Sequence, residues 1–366
     1  MLSVLVLLTS MASVDAVGSI TQCPESCHCE PTYPDSQLSI DCSQRLSDVD
    51  EEQLYHQLDS MLSADHFVEH LTALTITNTP LTRVPASVCK LLNLGYLNLD
   101  RNKLTELPDN CFTKLTKLVT LRAKRNAING LQDGLFEGLQ SLNILDLQCN
   151  HIAFIGLRVF SNSSDLISLR QIILAGNRLT SLEPWPYYRF TAGDKRHPAT
   201  IYLHSNWISN FTNKLNFRFR CGMNPICGRL FLDYNRIKHI MDMVNGWNIG
   251  GDNVFSALFC LYTHNGHDRC LSVSLATEQN TGGSYECDCT DFPIYKLVKF
   301  SPRNRILDGV VCNSAEFYST GGQLMYANAV PLNEFICEQP DRCPSSCRRV
   351  YRPANATLHV YCSAAN

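Results

Sequence analysis

Apolar residues recur along the central part of this chain in a fixed phrase that is spelled seven times. The full phrase has apolar residues at its first, fourth and sixth positions, an asparagine at its ninth and an apolar residue at its eleventh, and the first and the later copies match it less completely. The clearest copy consists of Leu94, Leu97, Leu99, Asn102 and Leu104. The two middle apolar residues are two positions apart, which is the alternation of a β-strand. Both are predicted to point into a core while the residue between them faces solvent.

The spacing between copies begins regular and then widens. Leu74 and Leu97 are 23 residues apart, the next two intervals are 24 residues each, and the following ones are 27, 29 and 29. The additional residues must loop out, and the two best candidates are 183–197, which is rich in aromatic residues and proline, and 210–224, which includes a basic and aromatic run. Insertions of this kind either contribute to binding or pack as surface loops.

The recurring asparagine is predicted to be structural. Side-chain amides stacked one above the next satisfy backbone groups of the neighbouring turn, as buried polar groups require. Thr79 takes the asparagine position in the first copy. The predicted ladder is Asn102, Asn126, Asn150, Asn177, Asn206 and Asn235.

The phrase resembles the leucine-rich repeat. The resemblance implies an α/β repeat fold over residues 71–250, a solenoid of about seven repeats. Its concave face is expected to be a curved parallel β-sheet and its convex face irregular or composed of short helices. One repeat cannot bury its apolar residues alone, so the copies must stack and leave an extended inner surface for binding. We therefore expect recognition rather than chemistry.

Eight of the eighteen cysteines form two groups, one before and one after the repeats: Cys23, Cys27, Cys29 and Cys42, and Cys287, Cys289, Cys312 and Cys337. The groups resemble the terminal caps of extracellular leucine-rich repeat proteins, and we place these caps at 17–46 and 251–338. The resemblance implies the disulfides Cys23–Cys29, Cys27–Cys42, Cys287–Cys312 and Cys289–Cys337. Zinc binding competes on spacing alone, but an oxidising route of secretion disfavours free thiolates.

Other cysteines fall outside the cap pattern. Cys89 and Cys111 occupy nearly equivalent convex positions of adjacent repeats, so a disulfide is predicted. Cys149, which precedes Asn150, is predicted to be a buried thiol. The pairing of Cys343, Cys347 and Cys362 stays open. Local disulfides are expected between Cys221 and Cys227 and between Cys260 and Cys270.

The first residues indicate secretion. Residues 1–16 combine a short apolar stretch with small residues at a plausible cleavage point, as in a signal peptide, and no later segment has the length of a membrane helix. Asn162, Asn210 and Asn355 begin glycosylation sequons. The formal charge of -3 is too balanced to indicate nucleic acid as a partner.

Two clusters resemble metal sites. His66, Glu69 and His70 form H-x-x-E-H, a metal-hydrolase motif. The surrounding segment 47–70, however, is predicted to be an amphipathic helix that links the cap to the first repeat. The segment from Cys260 to Cys270, with two histidines between them, allows either zinc or a disulfide. We expect no catalytic, metal or cofactor site and no enzyme activity.

Residues 339–366 resemble the start of a second amino-terminal cap that is cut short at the end of the chain. Repeats, an ending cap and a new starting cap follow one another in invertebrate Toll receptors. The resemblance implies a receptor ectodomain, or a secreted form of one, that binds an extracellular protein or microbial ligand and also allows a homodimer. The alternative is a matrix, adhesion or guidance protein similar to Slit.

The residues between the paired apolar positions indicate where a ligand binds. Polar residues fill this position in the first four repeats, and apolar or aromatic residues fill it in the last three. An exposed apolar patch usually marks a partner site, and aromatic residues are frequent hot spots. The predicted concave binding residues are Arg122, Asp146, Ile173, Tyr202, His204, Phe231 and Tyr234.

Overall fold

The structure of the chain is a computed structural model. The structure describes residues 27–32, 37–43, 50–160, 166–183, 199–214, 228–247, 271–274, 347–352 and 357–362. Its strands and helices, in chain order, are β1 (His28–Thr32), β2 (Gln37–Asp41), α1 (Glu51–Leu62), α2 (Asp65–His70), β3 (Leu71–Thr75), β4 (Tyr96–Asn98), β5 (Thr120–Arg122), β6 (Gly130–Leu131), β7 (Ile144–Asp146), β8 (Phe154–Ile155), β9 (Gln171–Ile173), β10 (Ser181–Leu182), β11 (Ala199–Tyr202), β12 (Asn210–Phe211), β13 (Gly228–Phe231), α3 (Ile240–Gly246), β14 (Leu271–Ser274), β15 (Cys347–Arg352) and β16 (Thr357–Cys362).

A ten-stranded sheet runs through the repeats in the order β1-β2-β3-β4-β5-β7-β9-β11-β13-β14. The hairpin β1–β2 is antiparallel, and every later pair is parallel. Equivalent apolar residues of successive repeats pair directly, as Leu97 does with Leu121 and Leu121 with Leu145. The fold is the predicted leucine-rich repeat solenoid, with one strand for each phrase.

The interior is a continuous column of apolar side chains. The paired apolar residues of each strand, such as Leu97 and Leu99, are buried on its inner side. The convex side contributes Phe112, Phe136 and Phe160, whose neighbouring ring centroids are 6.5 and 5.8 Å apart. Each repeat therefore buries its apolar residues against the repeats above and below it, which is why the copies must stack.

The asparagine ladder is present as predicted. In each turn the side-chain amide donates to a carbonyl of the preceding repeat, and its oxygen accepts a backbone N–H from that repeat. Asn150, for example, donates to the carbonyls of Ala123 (2.9 Å) and Leu147 (3.0 Å) and accepts from the N–H of Ile128 (3.1 Å). The other ladder asparagines form the same kinds of hydrogen bond with the preceding repeat.

The residue before each ladder position adopts a left-handed backbone. This conformation is found at Asn78, Arg101, Arg125, Cys149, Gly176, Ser205 and Tyr234. The left-handed conformation turns the chain sharply out of the strand and directs the side chain away from the interior. Residues other than glycine adopt it less readily. Gly176 and Asn78 are residue types that this conformation favours.

The segment between the cap and the first repeat forms two helices instead of the single helix predicted over 47–70. The helix α1 ends at Leu62, where the hydroxyl and the N–H of Ser63 both donate to the carbonyl of Asp59. Ala64 is then extended, and α2 begins at Asp65. A serine that bonds to the helix backbone competes with helix continuation, which accounts for the break. Leu54, Leu58, Leu62 and Phe67 are buried, as an amphipathic segment requires.

Two disulfides are described in full. Cys27–Cys42 joins the ends of the β1–β2 hairpin with a Cα–Cα distance of 4.1 Å. Cys89–Cys111 joins the short 3-10 elements Ala86–Lys90 and Phe112–Lys114 of adjacent repeats, with a Cα–Cα distance of 4.7 Å. Cys29 is also disulfide-bonded. The partner expected for it, Cys23, lies outside the described residues.

The parallel sheet includes one strand from the segment predicted to be the second cap. β14 pairs with β13 in the repeat register, with Val273 opposite Leu230. The sequence of β14 alternates as a repeat strand does, but it lacks an asparagine at the ninth position. No ladder residue therefore marks it as a repeat.

The last described element is the hairpin β15–β16, in which Cys347 stands opposite Cys362. The predicted signal peptide, most of the cap at 251–338, and the cysteine pairs 221–227, 260–270, 287–312 and 289–337 lie outside the described residues. Within the described ranges no helix has both the length and the apolar character needed to cross a lipid bilayer.

Candidate functional site

The concave face presents one row of side chains, contributed by the last residue of β3, β4, β5, β7, β9, β11 and β13. These residues pair in register across the whole sheet. Because adjacent strands are about 4.8 Å apart, the row is roughly 29 Å long. We call it the concave row; its members are Thr75, Asn98, Arg122, Asp146, Ile173, Tyr202 and Phe231.

The middle of the concave row is a charged cluster. Arg122 donates from Nε and Nη2 to Asp100 Oδ2, at 3.1 and 2.9 Å. Its Nη2 also lies 3.9 Å from Asp146 Oδ2. The second oxygen of Asp100 accepts the backbone N–H of Lys124 at 2.7 Å. The guanidinium is therefore held mainly by Asp100, and Asp146 is the less completely paired carboxylate.

Asp146 was predicted to face solvent, but it is only 7% exposed. Its side chain folds back so that Oδ1 accepts the N–H of Gln148 at 3.1 Å. Its partners on the two adjacent strands are Arg122 and Ile173. Burial raises the pKa of the Asp146 carboxyl, and the nearby Asp100 carboxylate raises this pKa further.

The last two strands carry an aromatic pair. The rings of Tyr202 and Phe231 stack with their centroids 5.0 Å apart and their planes 6° from parallel. Both residues and Ile173 are partly exposed. The row thus changes from charged to apolar between Asp146 and Ile173, as the sequence predicts.

The two remaining predicted residues lie beside the row. His204 is partly exposed two positions after Tyr202, and its Nδ1 is 3.3 Å from the hydroxyl of Ser205. Tyr234 occupies the left-handed turn before Asn235 and is 48% exposed. Tyr234 therefore borders the concave face rather than lying in it.

The prediction omitted three residues at or near this surface. Asp100 holds Arg122, although it lies two positions beyond the row. Trp207 is 44% exposed, and the guanidinium of Arg236 lies 5.1 Å from its ring centroid. Asp100 lies two positions before a ladder asparagine, and Trp207 and Arg236 each lie one position after one. An alignment of the repeats could therefore have identified them.

The H-x-x-E-H motif falls on α2. The rings of His66 and His70 stack at 5.0 Å, and His70 Nδ1 is 3.1 Å from the carbonyl oxygen of His66. Among the described residues no three histidine, cysteine or acidic side chains are grouped as metal ligands. The histidine pair is explained by contacts within its own helix turn.

Cys149 is exposed and free, so the prediction of a buried thiol was wrong. The cause is the left-handed turn that directs this position outward, as it does for Arg125 one repeat earlier and Ser205 two repeats later. Of the glycosylation sequons, Asn210 is an exposed residue of β12. Asn162 and Asn355 lie outside the described residues.

Comparison with known proteins identifies the repeats. The family model described as leucine rich repeat matches residues 69–128 and 116–179, so this part of the chain consists of leucine-rich repeats. Keratocan of Gallus gallus is 28% identical over 174 residues, which are 44% of this chain and 47% of keratocan. Toll-like receptor 13 of Mus musculus is 42% identical over 57 residues, which are 16% of this chain and 6% of the receptor.

A solved structure of the Drosophila Toll–Spatzle complex is also similar, with a TM-score of 0.48 and 19% identity, covering 81% of this chain and 40% of the solved chain. This chain therefore spans less than half the length of each of these three proteins.

Proposed function

We propose that this leucine-rich repeat chain is an extracellular recognition module whose concave row binds a protein or microbial ligand. The observation that carries the proposal is the stacked, partly exposed pair Tyr202 and Phe231. Stacked aromatic rings offer a large, rigid apolar surface at little cost in side-chain entropy, which is the character of an interface hot spot.

The shape of the surface favours a macromolecular ligand. Small molecules bind in enclosed clefts that remove most of their surface from water. The concave row is instead an open strip roughly 29 Å long, in which charged and apolar sections follow one another. A partner of matching length would contact the charged cluster at Arg122 and the aromatic pair at the same time.

The finer form of the proposal is the ectodomain of a Toll-like receptor or a secreted form of one. It is supported by the cap-like residues at 339–366 and by the 57-residue similarity to Toll-like receptor 13. The disulfides Cys27–Cys42 and Cys89–Cys111 fit an extracellular location. We also propose that the chain dimerises on ligand binding and has no enzyme activity.

A Slit-like matrix or guidance protein is the second candidate. The similarity to keratocan extends over 44% of the chain. It supports a leucine-rich repeat protein other than a Toll receptor. Transcript sequence beyond residue 366 distinguishes the two candidates. A membrane helix and a signalling domain support the receptor, and further capped repeats support the matrix protein.

The binding proposal is tested with the secreted chain as bait in extracellular fluid from the source organism. We expect one or more proteins to be captured by the parent chain and lost with the double variant Tyr202→Ala and Phe231→Ala. The matched control is Phe154→Ala, which removes an aromatic ring that is 46% exposed on β8, outside the main sheet. Capture that survives the double variant, or that Phe154→Ala abolishes equally, contradicts the site.

A further inference from the structure

One edge of the solenoid carries a stripe of basic side chains that the concave row does not include. These residues flank the ladder asparagines of four successive repeats, and all are exposed. The stripe, here named the basic edge, consists of Arg101, Lys103, Arg125, His151 and Arg178.

Backbone hydrogen bonds hold the basic edge in line. The N–H of Arg101 donates to the carbonyl of Lys124 at 2.7 Å, and the N–H of Arg125 donates to that of Gln148 at 2.9 Å. One residue beyond the ladder position, the N–H of Arg178 donates to the carbonyl of Ile152 at 2.9 Å. Each turn is therefore stacked on the next, and equivalent side chains recur about every 5 Å along the edge.

Within the described residues, the side chains of the basic edge have no acidic partner. Elsewhere arginines are paired, as Arg122 is with Asp100 and Arg83 with Glu52. In the described part of the chain no acidic side chain forms an ion pair with a member of the basic edge. Asp100, which precedes Arg101, already accepts hydrogen bonds from Arg122 and from the N–H of Lys124.

We propose that the basic edge binds a sulfated polysaccharide. Such a polymer carries permanent negative charges at regular intervals, and exposed basic side chains on successive turns are complementary to it. Guanidinium groups bind such oxyanions through paired, charge-assisted hydrogen bonds. Extended polyanions also gain affinity by releasing counterions, which requires several cations in line rather than one deep pocket.

The chemistry of the edge favours a polysaccharide over a nucleic acid. Proteins that bind single strands interleave cations with aromatic side chains on which bases stack. Between Arg101 and Arg178 the positions flanking the ladder are otherwise filled by Ala127, Cys149 and Gly176. Trp207 comes only in the next repeat, and Arg236 lies over its ring.

The test measures binding of the secreted chain to heparin as a function of salt. The triple variant Arg101→Gln, Arg125→Gln and Arg178→Gln removes three charges from the basic edge. We expect its affinity to fall by about tenfold or more and the dependence of affinity on salt to become shallower, because fewer counterions are released. Size-matched heparosan, which lacks sulfate, should bind weakly to the parent chain.

The matched control removes three exposed cations elsewhere, with Lys90→Gln, Lys114→Gln and Arg158→Gln. It should elute from heparin as the parent does, and so should the variant Tyr202→Ala and Phe231→Ala, whose changes lie on the concave row. Equal losses in both triple variants, no heparin binding by the parent, or tighter binding of a charge-matched single-stranded RNA would overturn the proposal. Circular dichroism verifies that each variant is folded.

Discussion

Tyr202 and Phe231 stand side by side on adjacent parallel strands, with ring centroids 5.0 Å apart and planes 6° from parallel. The sequence places them 29 residues apart, and only the repeat register brings them together. Their contact joins two repeats on the exposed side of the sheet, so it belongs both to the candidate site and to the stability of the solenoid.

The aromatic pair is expected to be energetically coupled. Tyr202→Ala and Phe231→Ala, made singly and together, should give a coupling free energy of about 0.5–1.5 kcal/mol in a double-mutant cycle. The measurement is urea unfolding followed by circular dichroism. As a control, Tyr202→Ala combined with Phe154→Ala should be additive within about 0.5 kcal/mol. Strict additivity for the stacked pair would show that the contact contributes nothing.

The ladder is expected to tolerate change poorly. Asn150→Ala removes three hydrogen bonds. The carbonyls of Ala123 and Leu147 keep the bonds from Asn126 and Asn177, but the buried N–H of Ile128 loses its acceptor. Since an unsatisfied buried group costs about 1–3 kcal/mol, the free energy of unfolding should fall by about 1–3 kcal/mol. Asn129→Ala, at an exposed position, should change it by less than about 0.5 kcal/mol. Similar values for the two variants would mean that the ladder is not structural.

Asp146→Asn is expected to stabilise the protein at neutral pH. The raised pKa means that the folded chain takes up a proton where the unfolded chain is still ionised, so the Asp146 contribution improves as the pH falls through that interval. Asparagine preserves the shape and the bond from the N–H of Gln148 but removes the buried charge. The advantage of the variant should therefore be largest at neutral pH and shrink on acidification.

This comparison needs urea unfolding of parent and variant at a series of pH values. The exposed Asp109→Asn is the control, and its difference from the parent at neutral pH should be smaller. An Asp146→Asn variant that is less stable than the parent at neutral pH would show that the contact with Arg122 outweighs the cost of burial.

Cys149 is expected to react in the folded protein. A maleimide reagent applied to unreduced, native chain should modify Cys149 and leave Cys89 and Cys111 untouched, because the latter form a disulfide. Peptide mapping identifies the modified residue, and Cys149→Ser provides the control. Modification of Cys149 only after denaturation would restore the original prediction of a buried thiol.

Asn210 is expected to carry a glycan in secreted protein. Its side chain is exposed on β12, while the following Phe211 is buried against Trp247. Asn210→Gln should remove one glycan, seen as a mass shift that enzymatic deglycosylation no longer produces at this site. Thr212→Ser keeps the sequon and is the control. An unmodified Asn210 in the secreted parent would contradict the expectation.

The repeat geometry could be predicted because its determinants are local and recur. An apolar pair two positions apart and an asparagine three positions later define a strand and a turn at every copy, so the register of Leu97 with Leu121 follows from counting. The strand β14 escaped detection since nothing replaces the asparagine that would identify its turn. The break between α1 and α2 depends on the hydroxyl of Ser63, a single hydrogen bond that no periodicity reveals.

The site was predictable in outline but not in its contacts. Strand alternation placed Tyr202 and Phe231 on the concave side. It also treated Asp146 as exposed, because alternation gives the direction of a side chain and not the neighbours that cover it. Cys149 was misassigned for the opposite reason. Its proximity to a buried asparagine suggested burial, while the left-handed turn directs it outward.

At the left-handed turns, a residue that increases thermal stability removes an exposed side chain. A residue other than glycine in this conformation costs of order 1 kcal/mol, and Arg101, Arg125, Cys149, Ser205 and Tyr234 all accept that cost. Glycine at these five places would give a scaffold that withstands more heat, but it would also erase the outward side chains by which one flank of the protein differs from another. Engineering for heat resistance should therefore begin at the buried convex side, where no outward chemistry is lost.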